Sequence, residues 1–476
     1  MQAANGPEES RRSPVAEAEA GTNELSSSAA QSRSSTRRDR LLSWIRRSWV
    51  PLVLVVASLA MTGAVTASHT AQFSPYDEWV YYDYVTKVPE QFVVHQGEDI
   101  GPAALEAMAC DGDTFGPRGE PCGGPYVNPA AYPQSGKTSA DLYTPVYFVI
   151  TWGLAQIFQF ALGLDLLTAA RLTGFFWLAG GMWLFASLMS KFRVPRLVTL
   201  GLGVAFIGSP IAAFTFTYIT TDSPGFLVGA LTLLATVRFV RGEGSGWWLV
   251  PISIFALALK VTNLVIVGLM LVFLIIYALS MWRRRDELAA GVTRVKLIVV
   301  GFLATLSGMA GVMIWLAIRS AIKISDQPDQ GLVEEVINLR TMSGLTSTFF
   351  PGPFGLTTGP LTIPASVAQP FVWLAIAGVI GFLFQSRRGN IERSLSIALA
   401  VAVTLFAPLM LIGMYIVLGA MPPVSGRYSA GLVPAMLLAT GMIMRNGIAR
   451  WGVLIYGIGM LVVELAYAFR AIMQLD

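Results

Sequence analysis

Long, nearly uncharged apolar runs alternate with polar segments along most of the chain. A helix needs about 20 apolar residues to cross about 30 Å of hydrocarbon, and these runs are close to that length. They are continuous and do not alternate residue by residue, which is typical of membrane helices and not of barrel strands. The pattern therefore predicts an all-α polytopic membrane protein. The twelve candidate runs are residues 49–68, 143–164, 168–190, 197–218, 224–240, 246–260, 263–282, 296–318, 370–384, 395–418, 429–444 and 451–469.

The composition agrees with this prediction. Hydrophobic residues (AVILMFWYC) make up 54% of the 476 residues and charged residues make up 13%, and the mean hydropathy is +0.60. Soluble domains contain about 25% charged residues. These values exclude a soluble globular enzyme, a disordered scaffold and a disulfide-rich secreted module. The high Gly content and the Arg- and Ala-rich amino-terminal segment are typical of a GC-rich bacterium and point to an actinobacterium.

Residues 1–47 differ from the rest because they are rich in Ser, Ala, Arg and Glu and nearly free of aromatic residues. Such a segment cannot bury enough apolar surface to offset its ordering entropy, so we expect a disordered leader before one membrane domain, 48–476. The leader ends in a basic cluster, which holds that end of the first span in the cytoplasm. A cleaved signal peptide is the alternative, because Val65 and Ala67 resemble a cleavage site, although the leader exceeds a usual n-region.

The positions of Lys and Arg indicate how many runs cross the membrane. Twelve crossings would place three basic loops outside, at Lys191–Arg196, Arg283–Arg285 and Arg387–Arg393, against the positive-inside rule. If the run 143–164 instead lies in the outer interface or re-enters, all three loops become cytoplasmic. The sequence therefore predicts about eleven spans in the plasma membrane, with a cytoplasmic amino terminus and an extracytoplasmic carboxyl terminus.

Two extracytoplasmic segments are large in this topology. The first, 69–170, carries the interfacial helix, and the second, 319–369, is rich in Pro and Gly. Within the second, residues 343–364 are uncharged and combine Ser, Thr, Gly and Pro with Phe, which predicts a mobile flap that orders over a bound ligand. The cytoplasmic loops are too short for a soluble catalytic domain, which needs about 50 residues or more.

The two cysteines of the chain, Cys110 and Cys122, both lie in the first extracytoplasmic segment. That compartment favours disulfides, so the sequence predicts that they pair. Two free thiols are the alternative. A structural zinc site is excluded here because neither histidine of the chain stands at metal-binding spacing from them.

Ionisable residues gather at the predicted outer ends of the spans. Such groups are costly at mid-depth in a membrane and mark function when present. Two of them, Asp77 and Glu78, are adjacent in sequence. Because adjacent residues do not share a helix face, one of these acids would enter a site while the other is held by a cation or the backbone. These residues are Asp77, Glu78, Arg171, Asp222, Lys260 and Arg427.

Five of these six residues also have a structural interpretation. Asp77 and Glu78 lie among aromatic residues and would serve as an interface anchor. Asp222 would cap the helix that starts at Pro224. Lys260 would extend its ammonium group to the interface, and Arg427 would contact lipid headgroups.

The order of these motifs resembles the GT-C superfamily of polyprenyl-phosphate-sugar-dependent glycosyltransferases, in particular the protein mannosyltransferase and lipid A aminoarabinose transferase branch. The resemblance extends from about Trp49 to Pro434. Members of the branch usually have Pro-Pro in the interfacial motif, where this chain has Thr144-Pro145. The matching motifs are the acidic pair Asp77-Glu78, the interfacial motif Tyr143–Phe148, Arg171 and Asp222 at the starts of spans, Lys260-Val261-Thr262, and the late Arg427-Tyr428.

The resemblance implies a GT-C-like fold that transfers a sugar from a polyprenyl-phosphate lipid to an envelope glycan, glycolipid or protein at the outer membrane face. Nucleotide sugars are absent from that face, so an activated sugar must arrive on a lipid. Membrane lipid and the acceptor are the implied partners, and nucleic acid is not. Because phosphate is already a good leaving group, a divalent cation such as Mg²⁺ or Mn²⁺ is optional. The implied catalytic carboxylates are Asp77 (the general base), Glu78 and Asp222, and the implied ligands of the donor phosphate are Lys260, Arg427, Tyr428 and Arg171.

Two other functions stay open at this point. A transporter or flippase of lipid-linked sugars would need a continuous polar path through the spans, and transporters place charged groups near the midplane. The charged groups of this chain lie at the predicted outer ends instead. A non-catalytic factor of envelope assembly is the third interpretation.

Overall fold

The structure is a computed structural model that describes residues 37–69, 72–284, 288–326, 338–354, 363–386, 390–418 and 424–473. Within these ranges the regular elements are helices, and extended pairing is limited to isolated bridges. The prediction of an all-α protein is therefore confirmed. The α-helices are α1 (Arg37–Ser68), α2 (Glu78–Lys87), α3 (Pro102–Cys110), α4 (Val146–Leu162), α5 (Leu166–Leu172), α6 (Gly174–Lys191), α7 (Arg196–Ile207), α8 (Pro210–Thr217), α9 (Pro224–Val240), α10 (Leu249–Leu259), α11 (Leu264–Arg284), α12 (Arg294–Ala321), α13 (Leu339–Phe349), α14 (Ala365–Gln385), α15 (Asn390–Leu418), α16 (Val433–Ile443) and α17 (Gly447–Ile472).

The chain divides into two compact units between Trp49 and Val50. Residues 1–36 of the leader expected to be disordered lie outside the described residues. Its remaining part, residues 37–47, is helical and belongs to α1. Leu and Arg are good helix formers and are frequent in this stretch, so the helix of the first span starts earlier than the composition of the whole leader indicates.

Among the described residues, seven helical segments are long and apolar enough to cross a membrane, which fits a multi-pass helical membrane protein. An eighth candidate is the pair α7 and α8, whose axes differ by 65°. Helices α4, α9 and α10 are apolar but shorter. By length and composition, therefore, seven or eight segments qualify as spans, and the count of eleven stays a prediction. The seven segments are Ser48–Ser68, Leu166–Lys191, Val261–Trp282, Arg294–Ala321, Ala365–Gln385, Ile391–Gly413 and Gly447–Ile472.

The bend between α7 and α8 arises at Ser209 and Pro210. Pro210 has no backbone N–H to continue the helix, and the Ser209 side chain caps the first turn of α8. Beyond α8, residues 218–223 lead into α9 beside the end of α1. There His69 Nε2 lies 2.8 Å from Thr217 Oγ1, and the ring of His69 stacks on that of Tyr218 with centroids 4.1 Å apart.

The segment between α1 and α6 contains α2 to α5 and the disulfide between Cys110 and Cys122, as predicted. Helix α2 is anchored by its buried Asp83. This carboxylate lies 2.9 Å from Lys87 Nζ and accepts a hydrogen bond of 2.6 Å from the backbone N–H of Gly101. Burial raises the pKa of the Asp83 carboxyl group above its usual value.

The carboxyl-terminal end of α12 holds the chain immediately before Tyr143. Arg319 Nε lies 2.6 Å from the buried carboxylate of Asp141, and Trp315 Nε1 donates a hydrogen bond of 3.2 Å to the Leu142 carbonyl. These two contacts hold the chain where Tyr143 lies beside Lys260 and Tyr81.

Candidate functional site

The buried carboxylate of Glu78 joins three segments of the chain. Arg171 donates to both of its oxygens, with Nε to Oε1 at 2.9 Å and Nη2 to Oε2 at 3.0 Å. The backbone N–H groups of Ser74 and Ile219 donate to the same carboxylate at 2.7 and 2.9 Å. Arg171 also donates to the Gln72 carbonyl at 2.7 Å. Glu78 is therefore saturated with hydrogen bonds, and Arg171 is committed to holding the start of α2 against residue 219.

Asp77 belongs to a separate cluster of four charged side chains. Arg427 Nη2 lies 3.3 Å from Asp77 Oδ2, and Arg427 Nε lies 3.4 Å from Asp222 Oδ2. Lys260 Nζ lies 2.5 Å from Asp222 Oδ1. Asp222 thus bridges the two cations with its two oxygens. Asp77 and Glu78 are adjacent at the start of α2, and side chains of adjacent residues do not lie on the same helix face. They therefore contact different partners.

Solvent reaches the four side chains of this cluster very unequally. The side chains of Asp222 and Lys260 are each 3% exposed, and that of Arg427 is 15% exposed, whereas Asp77 is 40% exposed. Two buried cations and one buried anion would be costly without further negative charge. Asp77 supplies that charge at the solvent side, so Asp77 is the carboxylate that an external molecule reaches most readily.

The guanidinium group of Arg427 keeps unused hydrogen-bonding capacity. At 3.4 Å its Nε contacts Asp222 as an ion pair, but among the described residues this buried N–H has no hydrogen-bond partner. The buried hydroxyl of Thr221, next to Asp222, also lacks a partner within the same ranges. Buried donors are nearly always satisfied in native proteins, so a ligand oxygen or water is expected at each of these two groups.

Tyrosine rings surround the two cations. Lys260 Nζ lies 5.0 Å from the ring centroid of Tyr428 and 5.8 Å from that of Tyr143. The guanidinium carbon of Arg427 lies 5.0 Å from the ring centroid of Tyr76. Tyr81 donates a hydrogen bond of 3.1 Å to the hydroxyl of Tyr143. Burial raises the pKa of the Tyr81, Tyr143 and Tyr428 phenols above the usual value, so all three stay protonated at neutral pH.

The local fold directs Asp222 into the cluster and away from the helix that follows. Helix α9 starts at Pro224 with Ser223 as its N-cap residue, and no side-chain hydrogen bond caps it in the described structure. The alternative interpretation of Asp222 as an N-cap is therefore wrong. The loop is held instead by Tyr147, whose hydroxyl accepts a hydrogen bond of 3.1 Å from the Thr220 N–H.

Lys260 is buried because the helix breaks at this residue. Its backbone is extended between α10 and the 3₁₀ turn Val261–Asn263. Asn263 Nδ2 donates to the Ala256 carbonyl at 2.9 Å, and the Thr144 hydroxyl donates to the Ala258 carbonyl. These bonds satisfy carbonyls at the end of α10, so the side chain of Lys260 turns inward to Asp222 and does not extend to the interface.

Arg427 and Tyr428 lie in the 3₁₀ helix Gly426–Leu432, which leads into α16. Of the seven residues that the sequence nominated, five meet here: Asp77, Asp222, Lys260, Arg427 and Tyr428. The other two, Glu78 and Arg171, form their own buried pair. Sequence reasoning nominated neither Tyr76 nor Tyr81. The only signal was the run of tyrosines 76–84, which does not reveal which of them face the cations.

No group of three or more His, Cys, Asp or Glu side chains that could hold a metal ion occurs among the described residues. The two carboxylates of the cluster, Asp77 and Asp222, both contact Arg427. Comparison with known proteins gives no assignment, because no protein-family model and no curated protein match this chain.

Proposed function

We propose that this chain is an integral-membrane glycosyltransferase of the GT-C type. It transfers a sugar from a polyprenyl-phosphate donor to an acceptor hydroxyl at the outer face of the plasma membrane. The observation that carries the proposal is the juxtaposition of two largely buried cations, Lys260 and Arg427, with the half-exposed carboxylate of Asp77. A lipid-phosphate donor needs the cations, and an acceptor hydroxyl needs the base.

The donor phosphate would lie between Lys260 and Arg427. The Nε–H of Arg427, which has no hydrogen-bond partner among the described residues, would donate to a phosphate oxygen. Lys260 carries three N–H donors, and within the described ranges Asp222 is the one carboxylate at ion-pair distance from it. Tyr428 lies beside both cations and would contact the same phosphate.

The transfer step uses Asp77 as the general base. The acceptor oxygen forms its bond to the anomeric carbon while the bond from that carbon to the phosphate oxygen breaks. The hydroxyl proton passes to the Asp77 carboxylate, and polyprenyl phosphate leaves in contact with Lys260 and Arg427. Asp77 suits this role because it is the exposed acid of the cluster, whereas Asp222 is buried between the cations and would hold them in place.

Glu78 and Arg171 have a different role in this proposal from the one that the family resemblance implies. The Glu78 carboxylate accepts four hydrogen bonds within the protein, and Arg171 pairs with it in a buried position. Within the described residues, the hydrogen bonds of the two groups lead to Gln72, Ser74 and Ile219 and not to Lys260 or Arg427. We therefore assign to this pair the positioning of α2 and not catalysis or phosphate binding.

An eleven-span topology belongs to the same proposal. Tyr143 and Arg171, on either side of α4, contact Tyr81 and Glu78, which are less than one helical turn apart on α2. A crossing by α4 would place its two ends on opposite sides of about 30 Å of hydrocarbon. If α4 stays at the outer face, then the seven long segments, the bent pair α7 and α8, and the helices α9, α10 and α16 give eleven.

The surface of α4 supports an interfacial position. Its first half buries Tyr147, Phe148 and Thr151 against the protein, whereas Phe160 is 95% exposed at its other end. An apolar helix with one protein-facing side and an exposed aromatic end suits the membrane interface.

The proposal is tested with purified protein, a radiolabelled polyprenyl-phosphate sugar and a membrane fraction that supplies the acceptor. We expect label to move from lipid to acceptor and Asp77→Asn to slow this transfer by about 10²–10⁴-fold while donor binding is retained. Asp326→Asn is the matched control, because Asp326 is an exposed acid whose carboxylate pairs with the half-exposed Lys323. Transfer by Asp77→Asn at the wild-type rate, or no transfer by the wild type, would overturn the proposal.

A transporter of lipid-linked sugars is the second candidate, and one observation favours it. Glu464 in α17 is fully buried, and among the described residues neither carboxylate oxygen has a hydrogen-bond partner. Buried acids in membrane helices mark transport pathways in other proteins. Uptake of a lipid-linked sugar into proteoliposomes, lost in Glu464→Gln and independent of acceptor, would favour this function over transfer.

A further inference from the structure

The segment that carries Arg427 is crossed by the described end of the second large loop. We call residues 338–354, which contain α13 and the 3₁₀ turn Gly352–Phe354, the strap. A Cβ atom at Gly352 would lie 2.2 Å from the Cα of Gly426, and a Cβ at Gly426 would lie 2.5 Å from the Cα of Gly352. The two backbones are thus in direct contact, one residue before Arg427.

A hydrogen bond reinforces this crossing. The Ser429 hydroxyl lies 2.9 Å from the Phe349 carbonyl and 2.7 Å from the Gly426 carbonyl, and its one proton is shared between these acceptors, so it ties the strap to the 3₁₀ helix on both sides of Arg427. A Cβ at Gly426 would also lie 3.0 Å from the Thr348 carbonyl oxygen. No side chain fits between the two segments at this point.

The opposite side of the same 3₁₀ helix packs on α9. A Cβ at Gly229 would lie 2.2 Å from the Gly431 carbonyl oxygen, and one at Gly225 would lie 3.1 Å from the Cβ of Ala430. Gly225 and Gly229, spaced as small residues are at close helix contacts, therefore receive the Arg427 segment. The segment is held between two backbones, with α9 on one side and the strap on the other.

The strap is itself anchored in two helices. Phe349 stacks on Phe406 of α15 with centroids 6.2 Å apart, and Phe354 meets Phe371 of α14 edge-on at 5.2 Å. Both rings of the strap are buried. Residues 343–354 of the expected flap are thus packed against these helices, residues 355–362 lie outside the described residues, and the mobility of the flap stays a prediction.

We propose that Gly352 and Gly426 are positioning residues for Arg427. Their backbone contact sets the distance of the Arg427 guanidinium from Asp77 and Asp222, so the second large loop forms part of the anion site without contacting the anion. The positioning follows from the contacts alone, and only the identity of the anion, a lipid phosphate, rests on the proposed function.

The first test needs no donor lipid. Gly352→Ala is compared with Gly344→Ala, because Gly344 lies in the same strap and an added Cβ there would meet nothing within 4 Å. Reactivity of Arg427 with phenylglyoxal is followed by peptide mass spectrometry, with the exposed Arg340 as the reference. We expect Arg427 to react at least about threefold faster in Gly352→Ala, since its ion pairs loosen, and unchanged in Gly344→Ala.

Ser429→Ala and Ser429→Thr keep the test decisive if Gly352→Ala fails to fold. Only Ser429→Ala removes the hydroxyl that links the Phe349 and Gly426 carbonyls. It should raise Arg427 reactivity in the same direction, and Ser429→Thr should restore it. Reactivity of Arg427 equal to the wild type in every folded variant would overturn the positioning role.

The second test measures binding of a polyprenyl-phosphate sugar to the same preparations. If the proposed function holds, Gly352→Ala should bind the donor about tenfold more weakly than Gly344→Ala at a similar unfolding midpoint. If the wild type does not bind the donor, but Arg427 still reacts faster in Gly352→Ala than in Gly344→Ala, the proposed ligand is overturned and the positioning role is supported. A reactivity difference without a binding difference would overturn the link between the strap and the anion.

Discussion

At the scale of single residues, the buried ion pair of Asp222 and Lys260 decides what the cluster can bind. Asp222 lies between the two cations and is almost inaccessible to solvent. A buried carboxylate that loses a partner costs about 3–5 kcal/mol, whereas replacing both partners of a buried pair is often tolerated. Stability and ligand binding should therefore respond differently to single and double substitutions.

Lys260→Met alone should lower the thermal unfolding midpoint, because Asp222 keeps only Arg427 as a cation. The double variant Lys260→Met with Asp222→Asn should recover most of the stability but not donor binding. Loss of the charge-assisted phosphate contact is worth about 1.5–3 kcal/mol, or about 10- to 150-fold in affinity. Differential scanning fluorimetry and a lipid-binding assay on the same preparations measure both effects.

Lys323→Met is the control for this prediction, because the side chain of Lys323 is half exposed and pairs with an exposed acid. It should change neither quantity. Wild-type donor affinity in the double variant would show that Lys260 does not hold the phosphate.

At the scale of elements, Glu78 and Arg171 connect α2, α5 and the segment that leads to Asp222. The pair is buried on both sides, at 0% and 3% exposure. Its two bonds between the carboxylate and the guanidinium are parallel, which is the strongest geometry for such a pair. Its role in the proposal is to place Asp77, one residue away, toward Arg427.

Glu78→Gln and Arg171→Met should each lower the free energy of unfolding by about 3–5 kcal/mol, and their combined effect should be less than the sum. Donor affinity of the folded protein should stay within about threefold of the wild type, because neither group contacts the proposed phosphate position. Denaturant unfolding in detergent and donor binding measure these two outcomes.

The exposed pair of Lys191 and Glu243 provides the control. Lys191→Met should change the stability by about 1 kcal/mol or less, since both side chains are 36% exposed and solvent screens the pair. If Arg171→Met retains wild-type stability but loses donor binding, Arg171 is a phosphate ligand, as the family resemblance implies.

At the scale of the whole molecule, the position of α4 determines the topology. An eleven-span protein has Lys137 and the end of α4 on the outside and Arg284 in the cytoplasm. Single cysteines at these positions distinguish this arrangement from twelve crossings, because a crossing by α4 moves its end to the other side. The native cysteines do not interfere, as they form a disulfide.

On intact cells, an impermeant maleimide should label Lys137→Cys and Leu162→Cys and should not reach Arg284→Cys. Leu162 is suitable because it ends α4 and is 60% exposed. Permeabilised cells, in which all three variants should react, provide the control. Labelling of Leu162→Cys only after permeabilisation would establish a crossing by α4 and refute the eleven-span topology.

The sequence by itself determined the class of the protein and its cysteine pairing. Apolar runs of membrane length specify helices without any knowledge of their neighbours, because hydrocarbon leaves no other partner for the backbone. The break before Pro210 was not predicted, because residues 197–218 read as one apolar run, although proline cannot continue the preceding helix. Residue type and position along the spans were enough to nominate Asp77, Asp222, Lys260 and Arg427.

The tertiary structure alone decided which of the nominated residues meet. Asp77 and Glu78 are neighbours in sequence, yet one contacts Arg427 and the other Arg171, which lie 350 and 93 residues away. No local pattern encodes such distances, since they depend on how helices far apart in the chain pack together. The same holds for Gly352 and Gly426. Glycine is needed at these positions because two backbones that are distant in sequence touch there, which the sequence does not show.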